Sequence, residues 1–87
     1  MDIEQQIKES LERELPGVHV EIERNPDTGK VGGHVIWEGF AGYNSLRRQN
    51  RVFSILRRNL NAAQAQANIS YLFTYTPDEY EQLQAAA

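Results

Sequence analysis

The chain has 87 residues and no cysteine. That absence removes a disulfide framework, a thiolate metal site, a thiol nucleophile and a thiolate ligand for an iron-sulfur cluster. A metal would have to rest on carboxylates and on His19 and His34, so neither a metal site nor a cofactor is expected. No apolar run approaches the ~20 residues of a membrane-spanning helix. The amino-terminal MDIEQQIKES is acidic and amphipathic, unlike the basic-then-apolar pattern of a secretory signal, so a cytoplasmic address and no membrane partner are expected. Also missing are a Ser, His and acid arrangement, a phosphate-binding loop of Walker type and a dinucleotide fingerprint, so no catalytic residue is expected.

One further absence is local: no acidic residue occurs between Glu38 and Asp78. The net charge of -3 therefore conceals segregation. Residues 1–38 carry nine acids against Lys8, Arg13, Arg24 and Lys30, whereas residues 39–77 carry five arginines and no acid. All five lie in LRRQNRVFSILRRNL, residues 46–60. An acidic protein with one basic stretch is no general polyanion binder, but a local positive field survives because screening at physiological salt acts over about 8 Å.

At this length the chain, residues 1–87, is expected to form a single domain that buries only roughly 60 to 65% of its unfolded surface. Ile3, Ile7, Leu11 and Leu15 recur every four residues, one apolar face of a helix that starts near Asp2 and is stopped by Pro16 and Gly17. Val18, Val20 and Ile22 alternate with His19, Glu21 and Glu23, and VGGHVIW follows the turn residues NPDTGK, so residues 18–37 read as a β-hairpin. Gly32 and Gly33 weaken the second strand and suggest a bulge. After GFAG comes the arginine-rich helix, from residue 44 or 46 to about 60. Ile69, Tyr71, Phe73 and Tyr75 alternate strictly, which reads as a third strand. Thr76, Pro77 and Glu79 then form a helix start with a capping box. The order α-β-β-α-β-α predicts an α+β fold, a three-stranded mixed sheet with helices packed on one face.

Phe40 and Gly42, then Arg48, Val52 and Phe53, then Thr74, Thr76, Pro77 and Glu79 stand in the order and spacing of F-x-G, an arginine-rich helix with a Val-aromatic pair, and a strand ending in T-x-T-P-x-E. Over roughly residues 3–83 the chain resembles the BolA family. The resemblance implies an αββαβα domain related to type II KH folds. It also implies, as a partner, a monothiol glutaredoxin with which family members share a [2Fe-2S] cluster. Two departures stand against that role. The family's Arg-His in the long helix is Arg48-Gln49 here, and the histidine that opens its third strand is Asn68, an amide and a poor ligand for iron. The family's second ligand comes from the loop between the first two strands, where this chain offers only His34.

On a helical wheel of about 100° per residue, Arg47, Arg51 and Arg58 form one stripe, opposite Leu46, Val52, Phe53, Leu56 and Leu60. Arg48 and Arg57 flank it, where their stems can cover apolar edges and their guanidinium groups can meet distant acids. A helix arranged only for stability would mix Glu with Arg at four-residue spacing. Arg47, Arg48, Arg51 and Arg58 are therefore the candidate nucleic-acid or partner-binding residues, against the bland alternative of a solvated face. Lys30, His34 and Asn68 are secondary candidates. Lys30 lies in GKVG and Phe40 in GFAG, two strings of the kind that clamps nucleic acid in KH folds, although the first falls in the hairpin. His19 and its neighbouring glutamates read as a solvated strand face. The expected function is a non-enzymatic regulatory or adaptor domain. The alternatives are an iron-sulfur accessory protein, or a self-associating homodimer joined through Tyr43, Tyr71 or Tyr75.

Overall fold

The computed structural model describes residues 2–60 and 69–86. Helix α1 spans Ile3–Glu14, strand β1 His19–Arg24, strand β2 Val31–Ile36, helix α2 Ser45–Asn59, strand β3 Ile69–Tyr75 and helix α3 Pro77–Ala86, with one 3-10 turn at Glu38–Phe40. The sheet runs β1-β2-β3, antiparallel in the hairpin and parallel between β2 and β3, as the order of elements predicts.

Local chemistry sets the boundaries. The Asp2 carboxylate accepts from the Gln5 amide at 2.9 Å and caps α1. Gly17, at φ 81°, lets the chain leave the helix into β1. In the hairpin turn the Asn25 side chain accepts from the Asp27 amide at 2.8 Å, and Gly29 takes φ 73°. Asn44 caps α2 by accepting from the Arg47 amide at 2.8 Å. The capping box of α3 forms as expected: the Thr76 amide donates to Glu79 at 2.8 Å, and the Glu79 amide to the Thr76 hydroxyl at 3.2 Å.

The core unites Ile7, Leu11 and Leu15 of the first helical segment, Val20, Val31, Val35, Ile69 and Leu72 of the sheet, and Val52, Ile55, Leu56 and Leu60 around α2. Phe40 is fully buried among them, and Trp37 meets it edge-on at 5.2 Å. The Trp37 indole covers Gly39 and donates to the Pro16 carbonyl at 2.9 Å. GFAG is thus an apolar plug with a bare glycine under tryptophan. Each buried aliphatic or aromatic side chain contributes roughly 1.5–3 kcal/mol by leaving water.

Two expectations are corrected. The alternation of β3 is broken: Val31 pairs with Ile69 but Gly32 with Tyr71, leaving Ser70 as an extra residue. This bulge, opposite the glycines that suggested one, turns Ile69 and Leu72 to the core and Tyr71, Phe73 and Tyr75 to the other face. On α2, Leu46 is 70% exposed while Ile55 is fully buried. Ile55 falls at about 80° on the wheel, so the buried arc runs from about 80° to 220° and takes Arg48 into it. Helices α1 and α2 share the core face of the sheet. Helix α3 turns back after Tyr75, buries no residue, and lays Tyr80 over His34 on the opposite face, ring centroids 5.5 Å apart.

Candidate functional site

The five α2 arginines separate by partner. Arg58 donates to Glu14 of α1 at 2.6 Å, beside Asn59, which donates to the same carboxylate at 2.8 Å and accepts from Arg13 at 2.9 Å. Arg57 and Arg58 also occupy the last turn of α2, where cations favour the helix dipole. Arg48 is the inward one, with its side chain only 12% exposed. It donates to Glu79 at 2.6 and 3.2 Å and to the Tyr43 carbonyl at 3.0 Å, a charge-assisted fork on the carboxylate. This is the distant acid the flanking position allowed for, and it holds the Glu79 carboxyl at about 2, the Arg48 hydrogen bonds first and the Thr76 amide second. Phe40, Thr74, Thr76 and Glu79, which carry the family resemblance, all converge on this arginine or its carboxylate.

Arg47 and Arg51 remain, one turn apart and both exposed. The Arg47 guanidinium lies 4.2 Å from the centre of the Tyr43 ring. Among the described residues, Arg51 and Arg57 meet no acid. Basic side chains in the first turn of a helix oppose its dipole, and α2 has no acid there to offset them. With exposed Leu46 and Asn50 these arginines form one cationic surface, whose apolar member the wheel had assigned to the core.

The secondary candidates fall on the other side of the sheet. Lys30 ends the hairpin turn, and His34 lies within β2 at the edge of an outer-face groove of about 570 Å³ that both line. The His34 ring packs on Phe73 at 5.9 Å, Tyr75 at 5.8 Å and Tyr80 at 5.5 Å. The Tyr80 hydroxyl donates to Glu21 at 3.0 Å, and that carboxylate raises the phenol above its ordinary pKa. Asn68 lies outside the described residues. The described residues contain no group of three His, Asp or Glu that could hold a metal ion, and no described helix is long and apolar enough to cross a membrane.

No family model matches the chain, and no curated protein matches it. Solved structures do. A BolA protein homologue from Coxiella burnetii is 30% identical over 93% of this chain and 99% of its own, with a TM-score of 0.66. BolA1 from Arabidopsis thaliana, at 23% identity, covers 91% of this chain and 96% of its own with a TM-score of 0.67. The BolA domain of SufE1 from the same plant shares the fold at 21% identity and a TM-score of 0.66. This chain is a divergent member of the BolA family.

Proposed function

We propose that the protein is a non-enzymatic regulatory or adaptor domain that binds nucleic acid through the exposed face of α2. Arg47 and Arg51 are the contact residues, with Arg57 beside them and Arg58 drawn partly away by Glu14. The observation that carries this reading is the division of labour on α2: Arg48 and Arg58 are spent on internal acids, whereas Arg47 and Arg51 meet none among the described residues. Two cations one turn apart, with a planar guanidinium backed by Tyr43, suit successive phosphates. Fluorescence anisotropy with a labelled 20-mer duplex at low salt tests it. Binding that Arg47→Ala with Arg51→Ala weakens at least about tenfold supports the reading. Unchanged binding contradicts it. Leu46, exposed beside Arg47, favours as second occupant an acidic protein, which would show as salt-sensitive binding to a partner and none to the duplex.

The other reading is pairing with a monothiol glutaredoxin. What favours it is that the hairpin turn and the start of β3, the regions family members use for their ligands, frame one groove. The donor set does not fit a [2Fe-2S] cluster, because the chain has no cysteine and position 68 is an amide. Co-purification with a monothiol glutaredoxin is expected to give no cluster absorbance that depends on this chain; a heterodimeric cluster would overturn the reading of Asn68.

A further inference from the structure

The groove on the outer face lies across the sheet from α2, and its shape follows from strand register. Glu23 pairs with Gly32 and Gly32 with Tyr71; Glu21 pairs with His34 and His34 with Phe73. Each row thus runs from a carboxylate through β2 to an aromatic ring. In the first row the middle residue has no side chain, which leaves a bare span of about 9–10 Å between the Glu23 and Tyr71 backbones at ordinary strand spacing. A Cβ on Gly32 would stand 3.0 Å from the Tyr71 carbonyl and 3.8 Å from the edge of its ring, so the ring leans over this floor.

Tyr71 and Phe73 are 56% and 47% exposed, with ring centroids 4.8 Å apart. A chain this small needs its apolar side chains in the core, yet these two stay half exposed, the Phe73 ring stacked on His34 and inclined 53° to Tyr71. The charges around them divide into engaged and available groups. Glu21 is held by Tyr80, and Arg24 by Glu4 and the Gly29 carbonyl. Glu23 and Lys30 have no hydrogen-bonded or ionic side-chain partner among the described residues, and both line the groove.

We propose that this groove is a second binding site, for a free guanine nucleotide, its base stacked on Tyr71 and bordered by Phe73, its donor edge on Glu23 and its phosphate on Lys30. An aromatic face accepts any base by stacking, so the edge must supply selectivity. A carboxylate accepts only, at two oxygens side by side. Guanine presents two adjacent donors, N1–H and the N2 amino group. Adenine and cytosine place an acceptor beside the amino group, and uracil has one N–H between two acceptors. Lys30 at the hairpin end supplies the point charge a phosphate needs.

The test is an amide NMR titration of the full chain with GMP, AMP, CMP, UMP, inorganic phosphate and a guanine tetranucleotide. GMP is expected to give saturable shifts at Gly32, His34, Ser70 and Tyr71, with α2 unmoved, and to bind several-fold tighter than the other mononucleotides. Tyr71→Ala should weaken GMP at least about fivefold, the loss of the stacking face, and Phe73→Ala should weaken it by a smaller factor. Both side chains are exposed, so the variants keep the fold. Glu23→Gln should remove the preference for GMP over AMP while leaving stacking in place. Arg47→Ala with Arg51→Ala should leave GMP binding unchanged, which separates this site from α2. The proposal is overturned by no saturable shift at about 5 mM GMP, above the millimolar affinity of the weakest specific ligands. It is also overturned by equal binding of all four mononucleotides, by shifts confined to α2, by phosphate alone producing the GMP pattern, or by the tetranucleotide binding more than about tenfold tighter than GMP.

Discussion

Arg48 and Gln49 adjoin in sequence and end on successive outward carbonyls of β3: Arg48 reaches Thr74 at 3.4 Å and Gln49 donates to Leu72 at 2.8 Å. Since the Tyr75 carbonyl accepts from Trp37 on the β2 side, the carbonyls of residues 72 and 74 face the free edge, and α2 covers them. Gln49 therefore does structural work at the family's histidine position. Helical periodicity showed that Arg48 flanks the core, but no local signal could pair it with Glu79, 31 residues away. Arg48→Ala takes the guanidinium fork from Glu79, leaving that carboxylate only the Thr76 amide, and removes the side-chain donor from the Tyr43 and Thr74 carbonyls. It is expected to cost about 2 kcal/mol, near 8–16 °C in Tm for a domain of this size. Arg47→Ala and Arg51→Ala should each stay within about 0.5 kcal/mol. Thermal melts of the three variants check the contrast. The Glu79 carboxyl, held at about 2, also sets a pH dependence. Its folded pKa is depressed, so its contribution is present above the unfolded value of about 4.3 and lost as pH falls toward 2. Stability measured across that window should fall less steeply in Glu79→Gln than in the parent chain.

At the scale of elements, periodicity and capping chemistry were enough to read α1, the hairpin, α2 and the start of α3, because those signals are local: Asp2, Pro16 and Gly17, NPDTGK, and Thr76 with Glu79. The facing of β3 was not legible. Ile69, Tyr71, Phe73 and Tyr75 alternate, yet one unpaired Ser70 moves the rings to the outer face, and a bulge is fixed by the partner strand. The groove was illegible for the same reason. Its signal was present in the paired glycines of β2, whose meaning depends on what lies across the sheet. Gly33 carries the strictest requirement: at φ 157° a Cβ would stand 1.9 Å from the Glu21 carbonyl oxygen. Gly33→Ala is expected to destabilise the hairpin by more than about 3 kcal/mol, in the range reserved for backbone conflict. Urea unfolding checks this, and a variant within about 1 kcal/mol of the parent chain would show that β1 and β2 can separate without cost.

The whole molecule presents two unlike faces. One carries α2 with its outward arginines; the other carries the aromatic groove between Glu23 and Lys30. BolA-family membership accounts for the buried plug at Phe40, the Arg48 connection and the capped α3, residues that build the fold. The arginine count was readable from sequence, but which arginines remain available depends on Glu14 and Glu79, brought in from α1 and α3. The salt dependence of duplex binding tests the central claim most directly. Contacts from Arg47, Arg51 and Arg57 should give a slope of log K against log salt near -2.7, about 0.9 per phosphate contact. Arg47→Ala with Arg51→Ala should flatten it by about 1.8. No binding at low salt, or a slope those substitutions leave unchanged, would contradict nucleic-acid recognition by α2.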